Sequence, residues 1–170
     1  MRAVRVILAI AVALALQTTL ARFAIGGTAA LDIVLVVVVY VALTSGPVTG
    51  LLAGTLAGLI QDAMASGIVG IGGLAKTIVG FLAGVVGTQF IVAAAFPRFV
   101  VFLAATLVHA VVFMGLYVLL DLRHFPSPYA AVFGQGVTNA LVGVIGFRLL
   151  ESVPVLVDRR RAARRTGRRV

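Results

Sequence analysis

Apolar residues run along this chain in blocks too long and too unbroken for strands. Residues 33–39 read Ile-Val-Leu-Val-Val-Val-Val, whereas a membrane β-strand alternates apolar and polar positions. Six such blocks lie at about 4–21, 30–45, 47–65, 72–94, 99–120 and 130–151, near the length of a membrane-crossing helix except for the second, which is short. Prolines punctuate them: Pro47 opens the third block, Pro97 falls between the fourth and fifth, and Pro126 and Pro128 mark the last loop. The pattern predicts an all-α polytopic membrane protein with six transmembrane helices. One six-helix domain over 1–151 is expected, followed by a basic, flexible tail over 152–170.

Within the third and fourth blocks a second pattern is laid over the first. Gly46, Gly50, Gly54 and Gly58 recur every four residues, and the next step is Asp62. Gly72, Lys76, Gly80, Gly84 and Thr88 repeat the spacing. A four-residue step drifts by about 40° on a helix, so Gly54, Gly58 and Asp62 share one face within about 80°. Glycine lets two helix backbones approach closely in a membrane. Gly50, Gly54, Gly58, Gly80 and Gly84 are therefore candidates for packing spans three and four together, or for receiving the membrane helix of a partner.

Each seam carries one charge, and charges inside a membrane are costly and rare. Asp62 lies about 22 Å beyond Pro47 along the helix. That puts it near the end of span three, level with Lys76 across the turn. An Asp62–Lys76 ion pair is expected, with Gln61 as a neutral donor and acceptor beside it; a snorkelling, unpaired Lys76 is the other reading. Asp32 stands where span two begins and is read as its cap. Asp32, Gln61, Asp62 and Lys76 form the candidate polar lock, expected close to the outer surface. Gln135, Asn139 and Gly143 repeat the four-residue step in span six, where amides hydrogen-bond between helices. His109 in span five is read as a packing residue.

Composition agrees with the pattern: 62% of the 170 residues are hydrophobic and 11% charged, far from the soluble average. The net charge of +9 is uneven, since Arg159, Arg160, Arg161, Arg164, Arg165, Arg168 and Arg169 crowd the C-terminus. Arg2, Arg5, Arg98 and Arg148 fall on the same side of a six-span topology as this tail, and only Arg22 and Arg123 on the other. By the positive-inside rule both termini are cytoplasmic. The tail is read as a topology signal that also contacts anionic lipids, with no nucleic-acid partner. Span one has the basic start and apolar run of a signal peptide but is expected to be retained.

Chemistry is sparse. The absence of cysteine excludes disulfides, thiolate metal sites and cysteine nucleophiles. Two histidines, His109 and His124, are too few for a histidine-rich metal site. No HExxH, GxSxG or phosphate-loop pattern occurs, and Gly70-Ile71-Gly72-Gly73 reads as a turn. No catalytic residue, cofactor or metal site is expected.

The order of motifs resembles a known family. Leu31-Asp32 leads an aliphatic helix; Gly46-Pro47, Gly50, Gly54 and Gly58-Leu59-Ile60-Gln61-Asp62 follow; then come Ser66-Gly67, Gly70, Gly72, Ala75-Lys76 and Val79-Gly80-Phe81-Leu82-Ala83-Gly84. This resembles the bacterial rod shape-determining protein MreD family over roughly residues 30–90. The family often has proline before the acid of span two, where this chain has Leu31. The resemblance implies a non-enzymatic scaffold of the cell-elongation machinery in the bacterial inner membrane. It implies MreC as direct partner, association with RodA and its penicillin-binding transpeptidase, and an indirect link to MreB in organising peptidoglycan synthesis. The implied fold is similar to the substrate-binding subunits of energy-coupling-factor transporters. A vitamin-binding transport subunit is therefore the alternative function.

Overall fold

The computed structural model describes residues 2–21, 31–65, 68–90, 92, 94–122 and 129–166, with the side chains of Arg2, Ala21 and residues 153–166 left out. Six helices follow one another: α1 (Arg2–Ala21), α2 (Ile33–Ser45), α3 (Pro47–Met64), α4 (Ile71–Gln89), α5 (Ala95–Leu119) and α6 (Tyr129–Thr166). Four of them, α1, α4, α5 and α6, are long and apolar enough to cross a membrane. The other two fall short for different reasons. With 13 residues, α2 spans about 20 Å against a hydrocarbon core of about 30 Å. The 18 residues of α3 are diluted by glycine, threonine, Gln61 and Asp62.

The short helix is the centre of the bundle. It is apolar on all sides, the property of a helix enclosed by others. Val34, Leu35, Val38, Val39 and Ala42 are all but inaccessible. On one side they pack with Ile10 and Leu14 of α1 and with Ala53 and Ala57 of α3. On the other they meet Val79 of α4, Phe102 of α5 and Ala140 of α6. Asp32 caps the start of α2, its Oδ1 accepting from the Leu35 N–H at 2.9 Å. Gly46 ends it at φ 89°, a left-handed conformation that favours glycine. Pro47 then begins α3 at once, where a missing N–H is harmless. Pro97, expected between helices, lies inside the first turn of α5, where the same tolerance holds.

Glycines set the spacing of α3 and α4. A Cβ on Gly54 would strike the Lys76 carbonyl, one on Gly50 the Gly80 carbonyl, and one on Gly84 the backbone of Pro47. A Cβ on Gly58 would lie 2.6 Å from the Gly73 Cα. Thr55 and Thr77 add a hydroxyl–hydroxyl bond of 2.8 Å across this seam. Lipid tails are as apolar as leucine, so close packing and hydrogen bonds hold such helices together. The five glycines named from the sequence all lie in this internal contact. In α6, Gly143 makes room for the buried Phe102 ring, which a Cβ would meet at 2.6 Å.

Between α4 and α5 the packing is looser. An apolar groove of about 230 Å³ opens there, walled by residues such as Val79, Ala83, Val101 and Ala104. Finally, α6 does not stop at residue 151 but continues as helix to Thr166.

Candidate functional site

Polar side chains converge on the first residues of α2. The Lys76 Nζ lies 3.0 Å from Asp32 Oδ2 and 3.2 Å from His109 Nε2. Lys76 is 4% exposed and Asp32 6%. An ammonium has only donors, so Nε2 of His109 accepts and the ring carries its proton on Nδ1. His109 is half-buried and stacks on Phe113, with ring centroids 5.7 Å apart.

The backbone of the same segment is held from two other helices. The Asp32 N–H donates to Asn139 Oδ1 of α6 at 2.9 Å. Asn139 Nδ2 donates to Thr106 Oγ1 of α5 at 3.1 Å, and that hydroxyl donates to the Phe102 carbonyl. Asn139 and Thr106 are almost wholly inaccessible. From α1, Gln17 Oε1 accepts from the Ile33 N–H at 2.8 Å, and its Nε2 donates to the Leu31 carbonyl at 3.0 Å. Five of the six helices therefore meet at one buried network. Asp32 is its node, binding with both carboxylate oxygens and its amide.

This arrangement corrects the expected Asp62–Lys76 pair. The Lys76 carbonyl faces Gly54 across the tight seam, so the side chain leaves α4 on the side of α2 and α5. Asp62 instead caps α4: its Oδ2 accepts from the N–H groups of Gly70 at 2.9 Å and Gly73 at 3.0 Å. The first turn of a helix has free N–H groups and a positive dipole end, and a carboxylate suits both. Asp62 Oδ1 also fills the place that a Cβ on Gly72 would take. Gln61 stands apart from the network, its Oε1 buried without a partner among the described residues.

The network also lies deeper than a surface lock. Because α2 is short, its start is sunk into the bundle. His109 and Asn139 are each ten residues from the nearer ends of α5 and α6, or about 15 Å along their axes. Sequence reasoning read His109 as a packing residue, did not single out Gln17, and placed Asp32 in the polar lock as the cap of α2 without pairing it to Lys76. The one available signal was topological: α2 and α4 start at the same end, which brings Asp32 and Lys76 together.

A second ion pair brackets the opposite end. Arg98, in the first turn of α5, donates to both carboxylate oxygens of Glu151 on α6, with Nη1–Oε2 at 2.8 Å. Its Nε donates to the Val92 carbonyl at 3.1 Å. The guanidinium lies 4.1 Å over the Phe147 ring, a cation–π contact. Phe147 in turn meets Tyr40 edge-on at 4.7 Å. Arg98 is buried, while the Glu151 side chain is 54% exposed.

Of the lipid-contact residues expected in the tail, Arg159, Arg160, Arg161, Arg164 and Arg165 lie on helical backbone whose side chains are not described. Arg168 and Arg169 lie outside the described residues, as do Arg22 and Arg123.

Helices long and apolar enough to span a bilayer, wrapped around a short apolar helix and a buried ion pair, define a helical membrane protein. Within that class the chain belongs to the rod shape-determining protein MreD family, whose family model matches residues 1–150. No curated protein and no solved structure matches it. Membership ties the chain to rod-shape determination.

Proposed function

We propose that this protein is a non-enzymatic scaffold of the cell-elongation machinery, crossing the bacterial inner membrane six times with both termini in the cytoplasm. The family match over residues 1–150 carries the reading. The packing is consistent with it. Asp32, Lys76, Asn139 and Thr106 are turned inward and bonded to one another. Outward positions such as Leu52, Val111 and Leu141 are apolar. Such a surface suits lipid and the membrane helices of other proteins, and the ion pair keeps the short α2 in register inside it.

As a family member, this scaffold would bind MreC and, with it, the RodA synthase and its transpeptidase. The glycine seam is not the binding face in this reading, because Gly50, Gly54, Gly58, Gly80 and Gly84 are enclosed between α3 and α4. Gly54→Leu would therefore disrupt the fold before it disrupted any partner contact. The test is depletion in the rod-shaped host with plasmid-borne rescue. Rounding of depleted cells, reversed by the wild-type chain, is expected. Cells that stay rod-shaped on full depletion would overturn the proposal.

A further inference from the structure

We infer that the C-terminal extension of α6 is a docking element for the anionic headgroups of the membrane leaflet it leaves. The inference rests on the membrane reading of α6 and not on the scaffold function. Three observations carry it. First, the family model ends at residue 150, yet half of the chain's 14 basic residues lie beyond that point. The shared fold therefore does not account for them. Second, the backbone stays helical without a break from Tyr129 to Thr166, and its span-like part ends at Ser152. Arg159 thus follows the end of the span by seven residues, about 10 Å along the helix axis. That is close to one Debye length at physiological ionic strength. Third, the Arg98–Glu151 bracket ties the helix to α5 one residue before that exit, so the extension starts from a held position.

The register of the arginines favours an electrostatic surface. At 100° per residue, Arg159, Arg160, Arg161, Arg164 and Arg165 occupy an arc of about 240°. An interfacial helix that buries one face among acyl chains needs a continuous apolar stripe, and between Arg159 and Arg165 the remaining arc of about 120° holds only Ala162. A helix charged over most of its circumference suits headgroups that can gather around it. A membrane-tethered basic segment meets the anionic leaflet before any soluble polyanion.

The chain contains no cysteine, so Thr166→Cys gives a single labelling position in the full-length protein. Energy transfer from a donor there to headgroup-labelled phosphatidylglycerol is compared with transfer to labelled phosphatidylcholine in mixed nanodiscs. Phosphatidylglycerol should be enriched at least about fivefold around the label, the factor that one engaged arginine supplies. The preference should collapse in about 0.5 M salt. It should also be lost when all seven arginines beyond residue 150, Arg159, Arg160, Arg161, Arg164, Arg165, Arg168 and Arg169, are changed to Gln, with an unchanged thermal melt in zwitterionic discs showing that this variant is folded. Equal transfer to both lipids at low salt would overturn the inference. So would a preference that survives in the Gln variant, or retention of a duplex oligonucleotide by protein that shows no lipid preference.

Discussion

The two ion pairs among the described residues each join a base to a carboxylate, in opposite settings. Lys76–Asp32 is enclosed on both sides, at 4% and 6% exposure; the Asp32 carboxylate also caps α2, and the Asp32 backbone N–H donates to Asn139 Oδ1. Arg98–Glu151 has one buried partner and one that is half in solvent. Breaking an enclosed pair strands a charge without water, which costs far more than the pair contributed. Breaking a pair with a wet partner lets water replace the lost bond, and such pairs contribute little. Burial, not geometry, should therefore decide which pair the fold depends on.

Lys76→Met should have the largest effect. It leaves the Asp32 carboxylate buried and unpaired, and should destabilise the protein by about 3–5 kcal/mol, read from reversible unfolding in mixed detergent. Adding Asp32→Asn should recover part of that loss. A cost below about 1 kcal/mol would place water at Asp32 and remove the distinction. Asp62→Asn comes next. It weakens a helix cap that joins a carboxylate to two backbone N–H groups, so about 1 kcal/mol is expected; a loss as large as that of Lys76→Met would restore Asp62 as an essential partner. The smallest effect belongs to Glu151→Gln, which should cost less than Asp62→Asn and be reduced further by salt. A loss rivalling that of Lys76→Met would show that exposure does not rank the pairs.

Much of the fold was legible because membrane helices announce themselves by length. The six expected blocks overlap the six helices, and the glycine spacing located the α3–α4 seam, where backbone meets backbone. The partner of Lys76 was harder to read. Lys76 belongs to the same four-residue series as Gly72, Gly80 and Gly84, so spacing alone assigns it to the seam. In the structure only its carbonyl faces the seam, and the direction of its side chain depends on how α4 is rotated against α2 and α5. His109 carries no spacing signature, since its contact is 33 residues away on another helix. The depth of the network was hidden by α2, whose shortness matters only once its end is seen to be sunk below those of α5 and α6. Helix existence is a local property of the chain, whereas the polar node follows from how five helices meet.

Asp32 and Lys76 act as one unit at the start of α2. A double-mutant cycle on Asp32→Asn and Lys76→Gln, measured by reversible unfolding, tests this directly. The predicted coupling is about 2–3 kcal/mol, while the parallel cycle on Asp62→Asn and Lys76→Gln should be additive within about 0.5 kcal/mol. Additive effects at Asp32 and Lys76, or a larger coupling between Asp62 and Lys76, would contradict it.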